Sequence, residues 1–356
     1  MKFYIDPGTG SMLFTILLGV IGAAVYSLRM MLLKLRLRAG GGKVDTNQDR
    51  IPLVIFRKAG VAADTLSWFA VLAVPFGVLG ARMLYCLVRL PWFLEKGWGY
   101  FFRLTDGGFM LYGAFAGILL AAFLAARIKR QPFACVADAL SAPAALMICL
   151  SRLAEGMAGV GYGWPVADWF DPWMSMSLVQ LEDYEWLQRF PFAMQEPMYE
   201  QWCWAIYVME ALVALVILIV VLRMKNRRGG AKALMMILIY AAMQVLGESA
   251  RQDEVMRWGF IRVSQLISAL AVAAVLVICC MKMQKKCIKL ITLSSVGVLA
   301  CAGVVMAMEF ALEKKITALT WMPMDLCYIV TILGCLGLIA CVLQAWFRAF
   351  PVEDEA

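Results

Sequence analysis

Residues 204–222 read WAIYVMEALVALVILIVVL, nineteen residues with a single charge, Glu210; the ten that follow, RMKNRRGGAK, hold five Lys or Arg. A helix rises ~1.5 Å per residue, so about 20 apolar residues cross the ~30 Å of bilayer hydrocarbon. This stretch is therefore long enough to span a membrane, and it stops at a basic cluster. Eight more runs of the same kind occur, at 11–31, 67–88, 109–126, 136–153, 232–250, 259–281, 288–308 and 326–348. In hydrocarbon each backbone polar group has to be satisfied within its own segment, so the runs are expected to be helices. The composition agrees: the 356 residues are 63% hydrophobic and 16% charged, against about 25% charged in a soluble domain. The expected fold class is an all-α polytopic membrane protein with about nine transmembrane helices.

The net charge of +8 is unevenly placed. Segments 29–58, 127–130, 223–232 and 282–289 hold 8, 3, 5 and 4 Lys or Arg, 20 of the 33 in the chain. These segments are alternate connections, and the positive-inside rule puts them in the cytoplasm. The N-terminus is then expected outside and the C-terminus inside. The positive charge reads as topology and as contact with anionic membrane lipids, not as a nucleic-acid surface. The first run lacks a basic segment before it and carries Lys34, Arg36 and Arg38 after it. It is read as a retained helix and not as a cleaved signal.

Eleven cysteines form no CxxC pair and no disulfide spacing, and most fall inside spans, where they serve as small apolar residues. The chain has no histidine. That excludes histidine-based metal sites and any mechanism with a histidine base; no metal and no cofactor is expected.

Between the runs, Asp6-Pro7-Gly8-Thr9-Gly10-Ser11 reads as a turn and helix cap, residues 39–65 as a cytoplasmic linker, and Glu353-Asp354-Glu355 as a short acidic tail. The longest outer connection, about 154–203, is acidic and holds Trp164, Trp169, Trp173, Trp186 and Trp202. Tryptophan favours the headgroup layer, so this connection is expected either as a small folded cap on the outer leaflet or as an interface-hugging connector.

An ionisable residue inside a span is expensive and marks a candidate site. Arg82, Asp138, Arg152, Glu155, Glu210, Glu248 and Arg251 are such residues. Arginines near the outer headgroup layer suit a lipid phosphate, because the planar guanidinium matches phosphate oxygens bidentately and stays charged when desolvated. The bland alternative is Arg–Glu pairing that only neutralises both charges.

Several short patterns, in order, resemble the bacterial prolipoprotein diacylglyceryl transferase family. They are Gly80-Ala81-Arg82 with Tyr85; Gly107-Gly108 through Tyr112-Gly113-Ala114; Ala137-Asp138 with Ala142-Pro143; and Arg152 through Gly159 to Tyr162-Gly163-Trp164-Pro165. Glu210-Ala211-Leu212 follows, then Tyr240, Glu248, Arg251, Gln252 and Asp253, and then Ser264-Gln265-Leu266 with Ser268. The resemblance covers roughly residues 60–275. It keeps Arg82, Arg152, Gly159, Gly163, Glu248 and Arg251. It departs where the family's histidine falls on Tyr112, two asparagines on Glu155 and Ala158, a glutamate on Val160 and a third arginine on Gln244.

The resemblance implies a seven-helix membrane domain over 1–285, with the outer cap at about 154–203, and an extra C-terminal hairpin over 286–356. It implies transfer of diacylglyceryl from phosphatidylglycerol to the cysteine thiol of a lipoprotein-precursor signal peptide, in the bacterial plasma (inner) membrane. Arg82, Arg152, Gly163, Gln244, Glu248 and Arg251 would bind the phospholipid, and Arg152, Glu155, Tyr112 and Arg251 would be catalytic. Tyr112, with an ordinary pKa of about 10, is a poor base at neutral pH. Glu155 lies three residues from Arg152, on the same helical face, and either takes the thiol proton or merely holds Arg152 still. Two alternatives stay open: a related membrane enzyme with another acceptor, and a non-catalytic lipid-binding or scaffold protein.

Overall fold

The computed structural model describes residue 61 and residues 63–103, 108–166, 191–196, 201–225, 227–252, 257–258, 261–283, 287–313, 315, 319 and 321–352. The first apolar run, the turn at 6–11, nearly all of the linker, the acidic tail and much of the outer connection lie outside them.

Eight helices among the described residues are long and apolar enough to cross a membrane. They are α1 (Ala63–Val88), α3 (Leu111–Ile128), α4 (Phe133–Met157), α5 (Ile206–Arg223), α6 (Ala231–Ala250), α7 (Val263–Lys282), α8 (Ile288–Leu312) and α9 (Met324–Ala349). Each falls on one of the apolar runs. The chain is a multi-pass α-helical membrane protein. Helix α5 is rich in Val and Ile, β-branched residues that disfavour helix in water. Its helicity follows from the need to satisfy the backbone internally. Leu215, Val216, Ile219 and Leu222 along it are exposed, as suits contact with lipid.

The chain divides into two compact units, between Met147 and Ile148 within α4. In the first unit, α1 and α3 pack at close range. A Cβ at Gly80 would collide with the carbonyl of Gly113, and one at Gly113 with that of Gly80. Small residues let helix backbones approach in this way where no hydrophobic effect drives association. The short helix α2 (Leu90–Lys96), begun by Pro91 in its first turn, and a 3-10 helix (Trp98–Phe102) follow α1.

The second unit holds α5 to α9. Helix α9 packs on α6 and α7, and α8 packs along α9. Leu238, Val272, Val342, Trp346 and Phe350 form the centre of its core. Trp346 Nε1 donates to the carbonyl of Ala231 at 3.2 Å.

Short strands also occur. β1 (Tyr162–Pro165), β2 (Ala193–Gln195) and β3 (Trp202–Ala205) form an antiparallel sheet in the order β1-β3-β2. β4 (Arg257–Trp258) and β5 (Ile261–Arg262) form a two-stranded pair. The three-stranded sheet lies within the long connection read as a cap.

Candidate functional site

The helices of the second unit bring seven buried polar side chains together. Arg152 and Glu155 sit in the last two turns of α4. Glu210 sits near the start of α5. Tyr240, Gln244 and Glu248, spaced by four, line one face of α6, and Arg251 caps its C-terminus. The C-terminal ends of α4 and α6 and the N-terminal end of α5 thus meet at one end of the bundle. All seven residues are buried, and Gln244 is only 2% exposed.

Their hydrogen bonds form one network. Arg152 Nη1 donates to Glu155 Oε1 at 2.8 Å and to Oε2 at 3.1 Å. Arg152 Nη2 donates to Tyr240 Oη at 3.2 Å and to Gln244 Oε1 at 3.1 Å. The Gln244 amide passes the chain on: its Nε2 donates to Glu210 Oε1 at 2.9 Å and to Glu248 Oε1 at 3.2 Å. Arg251 Nη1 donates to Glu210 Oε2 at 3.0 Å and lies 3.0 Å from Glu155 Oε2. Each of two carboxylates, Glu155 and Glu210, therefore touches both arginines; Arg152 Nη1 is 3.4 Å from Glu210 Oε2. Arg152 Nε is buried and without a hydrogen-bond partner. Buried donors are nearly always satisfied, so such an atom calls for an explanation.

Glycines shape the surroundings. A Cβ at Gly247 would press on the Glu210 carboxylate, so the bare backbone there lets Glu210 reach across to α6. Gly163 forms a backbone bridge with Arg251, and Gln252 N donates to Tyr162 O at 3.0 Å. A Cβ on Gly163 would meet the Ala250 carbonyl at 2.8 Å. Strand β1 thus runs against the end of α6 and holds the backbone of Arg251.

Of the residues singled out in the sequence, Arg152, Glu155, Glu210, Gln244, Glu248 and Arg251 come together, and Gly163 joins through its backbone. Arg82 and Tyr112 belong to the first unit. Arg82 is fully buried there and donates to four carbonyls: Tyr100 O at 2.7 Å, Gly108 O at 3.0 Å, Arg103 O at 3.1 Å and Phe101 O at 3.2 Å. Its guanidinium also lies 5.0 Å from the centre of the Tyr100 ring. Tyr112 is half-buried in the first turn of α3. Glu210 was singled out only as an ionisable group inside a span and within a motif, and Tyr240 only as a tyrosine in a motif; neither was given a binding or catalytic part.

Fold and cluster together define a multi-pass membrane protein whose charged site is buried at one end of a helix bundle. The family model of prolipoprotein diacylglyceryl transferase matches residues 52–281, and the chain belongs to that family. It is similar to the phosphatidylglycerol–prolipoprotein diacylglyceryl transferase of Symbiobacterium thermophilum, at 28% identity over 214 residues, which is 60% of this chain and 75% of that protein. The proteins of that name from Lysinibacillus sphaericus and Listeria monocytogenes are 26% and 27% identical over 216 and 215 residues. Each match covers 60% of this chain, and 76% and 71% of those proteins. Helices α8 and α9 lie beyond the residues matched by the family model.

Proposed function

We propose that the chain moves diacylglyceryl from phosphatidylglycerol to the cysteine thiol of a lipoprotein precursor, presented on its signal peptide at the bacterial plasma membrane. The reaction forms a bond from the thiol sulfur to the terminal glycerol carbon and breaks that carbon's bond to the phosphate oxygen. Glycerol phosphate leaves, and the thiol proton passes to a base.

The observation that carries this reading is the pair of buried guanidinium groups sharing two carboxylates, one of them with an orphaned donor at Arg152 Nε. That donor is suited to a phosphate oxygen, and guanidinium groups in a dry site stabilise charge growing on a leaving phosphate. The chain has no histidine, so the base must be another group. Glu155 is placed for it. Its two oxygens bind Arg152 and Arg251, at 2.8 and 3.0 Å. A proton moving onto Glu155 weakens its hold on both arginines as the leaving phosphate needs them. Proton transfer and phosphate stabilisation are then one coupled event.

Gln244 orients Arg152 and Glu210, Glu248 orients Gln244, and Gly163 lets β1 fix Arg251. Arg82 serves as a clamp on the carbonyls of Tyr100, Phe101, Arg103 and Gly108, and Tyr112 takes no part in proton transfer.

A second reading has its own support. Two arginines face three carboxylates, so the charge of the arginines is already more than compensated within the cluster. That favours a non-catalytic lipid-binding role or another acceptor. Depleting a bacterium of its own signature-complete enzyme and expressing this chain tests both. Restored diacylglyceryl modification of its lipoproteins supports the transferase. Unmodified lipoproteins, with the chain present in the membrane, refute it.

A further inference from the structure

We propose that the cleft between α7 and α8 binds a neutral glycerolipid of the diacylglycerol type, with one acyl chain along the cleft. Helix α8 lies along α9 but touches α7 little. Between them is a cavity of about 220 Å³ with Leu338 at its back. Ala269, Val272, Val298, Ala302 and Val305 make its apolar wall. Leu266 and Met306 on its edges are 38% and 59% exposed, so it opens on the surface that faces lipid. Sites that enclose a whole drug-sized ligand take about 300–1,000 Å³. This one suits part of a single chain.

The polar groups gather at one end. The start of α7 brings Arg262 and Gln265 to the end of α8, where Glu309 and Glu313 stand. Arg262 is 6% exposed, donates weakly to the Arg251 carbonyl at 3.4 Å, and has its Nε buried without a partner. Gln265 Nε2 donates to Glu309 Oε1 at 2.7 Å. Glu313 pairs with Lys315. That leaves Arg262 and Glu309 as one cation and one anion. A phosphate here would meet the Glu309 carboxylate with Arg262 as the one cation of the lining, where the other cluster offers two arginines. A diacylglycerol head offers what both groups need: an ester carbonyl to accept from Arg262 Nε, and a hydroxyl to donate to Glu309. Half of this cleft comes from α8 and α9, outside the family match, and the site does not depend on transfer activity.

The test uses the full chain in phosphatidylcholine nanodiscs. Diacylglycerol with a photoreactive group midway along one chain is compared with phosphatidylglycerol carrying the same chain. Labelling should concentrate in 266–272 and 298–306, and excess unlabelled diacylglycerol should remove it. Diacylglycerol should label about tenfold more strongly, a preference that Arg262→Gln abolishes. Ala302→Trp, which fills the cleft, should prevent labelling. Competition on the unaltered chain serves if that variant fails to fold. Equal labelling by both lipids, stronger labelling by phosphatidylglycerol, or labelling that resists competition overturns the proposal.

Discussion

Glu210 ties the two arginines of the cluster together, with Oε2 at 3.0 Å from Arg251 and 3.4 Å from Arg152. Removing Glu210 takes a buried acceptor from Gln244 Nε2 and from Arg251 Nη1, and stripping a buried donor of its partner costs about 1–3 kcal/mol. Glu210→Ala should therefore lower unfolding stability in detergent by about that amount, while Leu212→Ala, two residues on and on the exposed face of the same helix, should change it little. Gly163 gives a second prediction. The Cβ of Gly163→Ala would meet the Ala250 carbonyl at 2.8 Å and Ile206 Cγ1 at 2.7 Å. Overpacking of this kind costs about 1–3 kcal/mol. It should shift Arg251 and lower the transfer rate more than it lowers peptide binding, read as a fall in kcat with KM nearly unchanged. The pairing of Arg152 with Glu155 was legible from a spacing of three on one helix. The places of Glu210 and Tyr240 were not. The period of a single helix says which of its residues share a face, but not which other helix that face meets.

At the scale of elements, the apolar runs identified the helices well, because the bilayer leaves the backbone one solution for a long apolar segment. The short strands were not legible: two to four residues are too few for alternation to stand out. They matter nonetheless. Trp164 of β1 donates from Nε1 to Tyr328 Oη at 2.9 Å, and Tyr328 Oη donates to the Ser249 carbonyl at 3.1 Å. Tyr328 lies on α9, outside the family match, so the appended hairpin braces the strand that holds Arg251. Tyr328→Phe keeps the ring and loses both bonds. It should cost about 1–3 kcal/mol, the penalty for leaving a buried donor unsatisfied. Hydrogen exchange should rise in 162–165 and at the end of α6, with α8 unchanged. Exchange in Tyr328→Phe unchanged from the unaltered chain would show that the hydroxyl does no bracing.

For the whole molecule, the distribution of Lys and Arg makes a prediction about orientation. The segments 127–130 and 223–232 belong in the cytoplasm, and the turn at Glu313 outside. In a cysteine-depleted background, Glu313→Cys should react with an impermeant thiol reagent on intact cells, and Lys225→Cys only after lysis. The reverse pattern would invert the bundle and put the arginine–carboxylate cluster at the cytoplasmic face. Composition and charge alone made the membrane class legible. The chemistry needed the family motifs, and the geometry changed their weight: Arg82 sits on backbone carbonyls, whereas Arg152 and Arg251 share two carboxylates.

The proposed transfer proceeds without a histidine, by two arginines and Glu155. The direct measurement follows a cysteine-bearing lipoprotein signal peptide with the purified chain in phosphatidylglycerol nanodiscs, reading peptide mass and glycerol phosphate release together. One diacylglyceryl mass gain per glycerol phosphate released is expected, lost in Arg152→Ala and strongly reduced in Glu155→Gln, with both variants still monodisperse. No mass gain where a signature-complete relative turns over, or full activity in either variant, would contradict it.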